Sequence, residues 1–397
     1  MTERAPGPPS TFANYQYEVY LVGMGGTVPE LPFSVAEMEA LARERLSPGA
    51  FGYVAGSAGA EDTARANRDA FRAWRIVPRM LRDIGQRYLS TTVLGTDMPA
   101  PILLAPIGVQ SIVHDDAEAA VARAAASLGV PIVLSTASSK PMEEVAEAMG
   151  SVPRWFQLYW PRDPDLTQSF LSRAEAAGFS AIVVTLDTWL LAWRPRDLAG
   201  AYLPFLKGEG VANYFSDPVF RSRLEKPPED DLMPAVMLFQ QVFSDPTVTW
   251  PNLRFLRDNT RLPIVLKGIQ HPDDAKRAAD EGMDGVVVSN HGGRQVDGAI
   301  GSLQSLPGIV DAVGDRLPVL FDSGVRTGAD AFKAIALGAR AVLVGRPYVW
   351  GLAVAGEEGV RHVIRSLLAE LELTMALSGS SRIDQVDRSV LASPPSV

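Results

Sequence analysis

The sequence predicts an α/β fold, a closed (β/α)8 barrel of the TIM type, and three observations carry the prediction. Eight short, apolar, β-branched runs recur from residue 100 onward, helix-like segments separate them, and polar residues collect where the runs end. Continuous apolar strands alternating with helices imply a parallel sheet covered on both faces, and eight such units imply a closed barrel. The competing arrangement is an open doubly wound sheet. It is disfavoured because the first strand-to-helix turn lacks Gly-x-Gly-x-x-Gly, and the similar cluster Gly23-Met24-Gly25-Gly26 follows no convincing strand.

Residues 1–99 precede the first strand as an N-terminal arm and cap of the same domain. They are expected to supply an outer helix over SVAEMEALARERL (34–46) and a cover across one barrel mouth. The barrel itself takes 100–397. Its predicted strands are PILLAP (101–106), PIVLST (131–136), RWFQLY (154–159), SAIVVTL (180–186), PIVLKG (263–268), GVVVSN (285–290), PVLFDSG (318–324) and AVLVGR (341–346). Between them, segments such as DAEAAVARAAASLG, DLTQSFLSRAEAAG and GADAFKAIALG have helical spacing and a terminal glycine. The connection at 190–247 is far longer than the usual few residues. Its centre, SRLEKPPEDD, is expected to be exposed, and the whole reads either as a lid over the catalytic face or as a subunit contact.

Composition excludes several functions. The chain has 397 residues, 47% hydrophobic and 21% charged, with a net charge of -9, so nucleic acid is not an expected partner. Zero cysteines exclude disulfides, thiolate catalysis and iron–sulfur ligation. None of His114, His271, His291 and His362 has a second histidine at metal-ligand spacing, so no metal site is expected. The start, MTERAPGPPSTF, has no apolar secretion core, and no apolar run approaches membrane-spanning length. The expectation is a soluble, cytoplasmic protein with no membrane partner.

The strand ends carry the chemistry, as they do in barrel enzymes. In order they present Pro106-Ile107-Gly108, Ser135, Gln157 and Tyr159, Thr185 and Asp187, Lys267, His291 and Arg294, Asp322, then Gly345-Arg346. One such group is a cap or a turn; Ser135 by itself reads as local backbone bonding. Together they describe a pocket. The turn SNHGGRQ (289–295) adds an imidazole for proton transfer and a guanidinium for gripping a carboxylate. DSGVRTG and GRP, after the seventh and eighth strands, offer backbone N–H groups, Arg326 and Arg346 where barrels bind phosphate. Lys267 has three readings: a Schiff-base nucleophile, a fixed charge facing an anionic cofactor, or strand punctuation before a glycine.

From about residue 30 onward these motifs resemble the FMN-dependent α-hydroxy-acid oxidase and dehydrogenase family. SNHGGRQ, VLKGI, FQLY, TLDT and DSGVRTGAD all stand in that family's order. NYQYEVYLVG, FQLYWP, TLDTWLLAWRPRDL and the long connection are most similar to its lactate 2-monooxygenase branch. The resemblance implies an FMN enzyme acting on a small 2-hydroxy acid and O2, as a tetramer or octamer. It implies a catalytic set of His291, Asp187, Tyr159 and Lys267, with Tyr53, Arg294, Arg194 and Tyr159 binding substrate. Arg196 is a rival for the role of Arg194. FMN would meet Pro106, Ile107, Gly108, Ser135, Gln157, Thr185, Lys267, Ser289 and Gly293, and its phosphate end Asp322, Gly324, Arg326, Gly345 and Arg346. Gly108 and Ala137 are smaller than their counterparts in many small-acid oxidases, which implies a wider pocket. Lactate is the expected substrate, with decarboxylation of its keto acid if the lid delays exit. A simple oxidase, a mandelate-type dehydrogenase and, more remotely, a Schiff-base lyase are the alternatives.

Overall fold

The computed structural model describes residues 8–392; residues 1–7 of the arm and 393–397 of the barrel domain lie outside the described residues. Each of the eight runs forms a strand: β1 (Ile102–Leu104), β2 (Ile132–Ser135), β3 (Arg154–Leu158), β4 (Ile182–Thr185), β5 (Ile264–Ile269), β6 (Gly285–Val288), β7 (Val319–Phe321) and β8 (Ala341–Val344). Neighbours pair in parallel, and β8 pairs with β1 to close the barrel. The predicted barrel is the observed one.

Strand side chains alternate between two cores, as a period of two requires. Ile102, Leu104, Ile132, Leu134, Ile182 and Val184 pack outward among the helices. Leu103, Val133, Trp155, Val183, Val265, Val287, Leu320 and Leu343 form a separate inner cluster. Two residues further along each strand the inward positions become Ala105, Ser135, Gln157, Thr185, Lys267, Ser289, Asp322 and Gly345. The register sets Ser135 beside Gln157 and Thr185 beside Lys267. The barrel changes from apolar to polar within one layer.

The expected cap is divided between the two mouths. A hairpin, Thr91–Val93 and Thr96–Met98, turns through Leu94 and Gly95, whose φ values of 50° and 75° suit a tight hairpin turn. Val93 and Met98 join the inner cluster, and Trp155 Nε1 donates to Thr96 Oγ1 at 2.9 Å. The hairpin therefore plugs the N-terminal mouth. Helices Pro48–Ala55 and Asp62–Ala73 serve the opposite mouth, and the predicted outer helix forms as Val35–Arg45.

The 190–247 connection folds against the barrel as five short helical segments. Val211, Tyr214, Phe220, Ala235 and Phe239 enter the outer core, and Ala212 N donates to Ser138 O at 3.0 Å. SRLEKPPEDD is mostly exposed, as expected, apart from buried Pro228. No helix among the described residues is long and apolar enough to cross a membrane.

Candidate active site

The turn at 289–295 is built around a strained residue. His291 has φ of 57°, a left-handed geometry unfavourable for a residue with a Cβ. Three bonds hold it: Ser289 Oγ accepts from His291 N at 3.1 Å, Ser323 Oγ from Gly292 N at 3.0 Å, and Asn290 Oδ1 from Gly293 N at 3.1 Å. Asn290 and Asn67 exchange amide bonds at 2.7 and 2.8 Å, which ties the turn to helix Asp62–Ala73.

Asp187, two residues past β4, meets this imidazole. His291 Nδ1 lies 2.7 Å from Asp187 Oδ1, and Thr188 Oγ1 donates to the same oxygen at 2.9 Å. Gly268, at φ 109° in the bulge of β5, makes room; a Cβ there would sit 3.0 Å from that of Asp187. Burial alone would raise the Asp187 carboxyl, but His291 and Lys267 outweigh it and pull it down to about 2. Burial pushes His291 below its ordinary value despite the pull of Asp187. The result is a neutral imidazole whose Nδ1–H is committed to a carboxylate, leaving Nε2 bare as a base.

Beside it stand Arg294, Arg194 and Tyr53. Arg294 Nη1 donates to Tyr53 O at 2.7 Å and Gly56 O at 2.6 Å, and its guanidinium carbon lies 5.3 Å from the Tyr53 ring centroid. Arg194 is anchored through Nε to Arg294 O and through Nη2 to Gln295 Oε1, both at 3.2 Å. Its rival Arg196 is paired with Glu61 at 2.7 Å and is absent from the cavity wall. Burial raises the hydroxyls of Tyr53 and Tyr159, so both remain donors.

Lys267 Nζ lies 3.0 Å from Ser289 Oγ and 3.2 Å from Asp322 Oδ2. Burial opposes its charge, yet Asp322 and Asp187 raise it on balance, so it is an ammonium. At the far end, burial pushes Arg326 down to about 10, and Arg346 is depressed by burial, Arg294 and Arg326. The two differ in freedom. Arg346 donates to Val54 O, Gly292 O, Gly56 O and Ser57 Oγ, each at 3.0 Å, whereas the Arg326 guanidinium bonds only Val325 O, at 2.9 Å, among the described residues.

These groups surround a cavity of about 430 Å³ at the C-terminal mouth. Its wall holds His291, Tyr159, Lys267, Tyr53, Arg294, Arg194, Pro106, Ile107, Gly108, Ser135, Asp322, Gly324, Arg326, Gly345 and Arg346. Asp187, Gln157, Thr185, Ser289 and Gly293 stand outside that wall. Gly293 is a packing position, where a Cβ would come within 2.6 Å of Ala64 N. Asp322 is directed at Lys267, which groups it with the ammonium and not with the arginines of the far end. Gly108 and Ala137 are one feature: Val109 N donates to Ala137 O at 2.8 Å, and a Cβ on Gly108 would lie 2.5 Å from that oxygen. Sequence reasoning missed Thr188 and the lid's Leu203, Phe205, Phe239 and Phe243, which also line the cavity. Phe239 and Phe243 share a helix face at i, i+4, a signal that reads equally well as core.

Residues 42–393 match the FMN-dependent dehydrogenase family model. The chain belongs to that family. It is 49% identical over 385 residues to an FMN-dependent alpha-hydroxy acid dehydrogenase of Penicillium citrinum, covering 96% of each chain. With an L-lactate oxidase of Lysinibacillus sphaericus it shares 45% over 353 residues, 89% of this chain and 91% of that one. A crystal structure of mandelate oxidase superposes with a TM-score of 0.81 at 38% identity, covering 91% of this chain and 98% of the other.

FMN is accordingly the cofactor, and the cavity fits it. Just behind the wall at Ser135, whose Oγ donates to Gln157 Oε1 at 3.0 Å, Gln157 Nε2 is buried without an acceptor, a spare donor in the polar layer. Arg326 is a half-buried guanidinium with no carboxylate within ion-pair distance among the described residues, suited to a phosphate. Lys267 supplies a fixed positive charge between them in the polar layer. Among the described residues no cluster of three or more His, Asp or Glu side chains is placed to hold a metal ion.

Proposed function

We propose that the chain oxidises an L-2-hydroxy acid, lactate first, to its 2-keto acid, and that the keto acid is decarboxylated before it leaves. One observation carries the reading: a neutral imidazole, oriented by Asp187, stands beside two arginines and two tyrosine hydroxyls. Arg294 and Arg194 receive the carboxylate, and Tyr53 and Tyr159 donate to the substrate oxygens. His291 Nε2 takes the hydroxyl proton as the α-hydrogen departs as hydride, and Asp187 stabilises the imidazolium. FMN, when bound, would supply the hydride acceptor and, with O2 as the final oxidant, a source of peroxide. If the keto acid is still in the cavity, peroxide attacks its carbonyl, and lactate plus O2 becomes acetate, carbon dioxide and water. The packed lid supports retention, because Phe205, Phe239 and Phe243 are held with ring centroids 5.1 to 6.0 Å apart.

A second reading, a larger apolar side chain, is favoured by that same aromatic wall and by small Ala137. Stopped-flow loss of flavin absorbance with lactate, glycolate, 2-hydroxyoctanoate and mandelate separates the two. Mandelate reacting far faster than lactate overturns the lactate reading, and stoichiometric free pyruvate and peroxide overturn decarboxylation. The lyase reading loses support because a protonated Lys267 is no nucleophile. We also propose a homo-oligomer, tetramer or octamer. Its support is helix Asn14–Met24, which buries no residue and exposes Tyr17, Tyr20, Leu21, Val22 and Met24. Sedimentation showing only monomer would contradict it.

A further inference from the structure

Asp197 is a carboxylate that neither lines the cavity nor joins the His291–Asp187 pair. It lies on the short helix Pro195–Ala199 at the root of the lid, with its side chain 12% exposed. Its Oδ1 is buried with no donor, and its Oδ2 is 3.8 Å from Arg194 Nη1, beyond hydrogen-bond reach. An unmet buried carboxylate oxygen is costly, so its position calls for a reason.

Holding Arg194 is not that reason. Arg194 is already anchored by Arg294 O and Gln295 Oε1. The helix is fixed from other directions: Tyr202 N donates to Asp197 O at 2.9 Å, Gly59 N to Trp193 O at 3.0 Å, and Arg196 pairs with Glu61. Asp197 is outside the cavity wall while Arg194 and Arg294 are in it, so the carboxylate stands behind the guanidiniums. Burial raises its carboxyl, while Arg294 and Arg194 pull the other way.

Within the proposed clamp alone the charges can be counted. Two arginines and one resident carboxylate leave a single positive charge, which one substrate carboxylate neutralises. We infer that Asp197 is a specificity-determining counter-ion that matches the clamp to a single carboxylate and limits its grip on anions. The inference rests on the proposed reading that Arg194 and Arg294 take the substrate carboxylate.

The test is titration of the FMN-loaded enzyme with two unreactive anions, pyruvate and malonate, followed by perturbation of the flavin spectrum. Removing one charge without removing bulk, as in Asp197→Asn, should tighten pyruvate by about three- to tenfold and the dianion malonate by more. A general loss of structure cannot produce tighter binding. Asp197→Ser is measured alongside, so that poor folding of one variant leaves the other to decide, and the same tightening is expected. Unchanged or weaker pyruvate binding in folded, FMN-loaded variants overturns the inference, as does a malonate gain no larger than the pyruvate gain. If the wild-type enzyme binds neither anion and Arg294→Lys alters no kinetic constant, the clamp reading itself fails, and this inference with it.

Discussion

The two mouths of this barrel are built by opposite rules. At the N-terminal mouth the hairpin's Val93 and Met98 seal an apolar layer around Trp155, which is fully buried with its one polar atom bonded to Thr96. At the C-terminal mouth the next layer holds Lys267, and the loops just beyond it bring Asp187, His291 and Arg294 beside left-handed backbone at His291 and Ser323. Buried Gln157 Nε2 and Asp187 Oδ2 are left there without partners. Substitutions at one end should therefore change stability and at the other chemistry, although the two layers are two residues apart on each strand.

The largest effects test that separation. Asp187→Asn should lower kcat/KM by about 10²–10⁴-fold, the range for a disabled base, with little change in melting temperature. Because Asp187 raises the His291 pKa, the acid limb of its pH profile should also move down. In the wild-type enzyme activity should fall as pH drops through a value below the ordinary 6.5, since only neutral imidazole accepts the proton. An acid limb above 6.5 would contradict the geometry. Trp155→Ala should do the reverse, costing about 3–5 kcal/mol of stability while each folded, FMN-loaded molecule keeps its rate. A strong kinetic defect in that variant would break the comparison.

A smaller effect is expected within the upper mouth. Arg294→Lys should raise the half-saturation for lactate by about tenfold, since an ammonium cannot replace two parallel guanidinium bonds. Unaltered half-saturation would remove Arg294 from the clamp.

The smallest sits on an outer helix beneath the loops of the same mouth. Glu118 is buried on helix Ala117–Ala126, and it accepts Gln110 N at 3.3 Å and Ser139 N at 3.1 Å, joining the loops after β1 and β2. Burial raises it from 4.5 to about 7 against those bonds. A raised carboxyl contributes stability that is full below its unfolded value of 4.5 and lost as pH rises through about 7. Glu118→Gln should therefore gain on the wild type by about 1–2 kcal/mol between pH 5 and 8 in denaturant titrations. A difference independent of pH would mean that Glu118 is not titrating there.

Legibility followed the same division. The strands could be read because both faces are buried, which makes each run continuously apolar, and the polar layer because it interrupts those runs at Ser135, Gln157, Thr185 and Lys267. The hairpin plug was not readable in detail: three-residue strands are too short to show a period of two. Glu118 lies in an alanine-rich helix whose carboxylate would ordinarily face water. Asp197 and the Phe205–Phe239–Phe243 wall depend on how the long connection folds back, a tertiary matter that no local pattern records.

The most direct test of the central claim, that His291 is the base for oxidation of a 2-hydroxy acid, is anaerobic stopped-flow of FMN-loaded wild type and His291→Ala with L-lactate and with mandelate. Rapid bleaching of the flavin is expected in the wild type with at least one of the two acids. In the variant, bleaching should be slower by about 10²–10⁴-fold at unchanged FMN content. Equal rates in the two proteins, or no bleaching of the wild type by either acid, would contradict that claim.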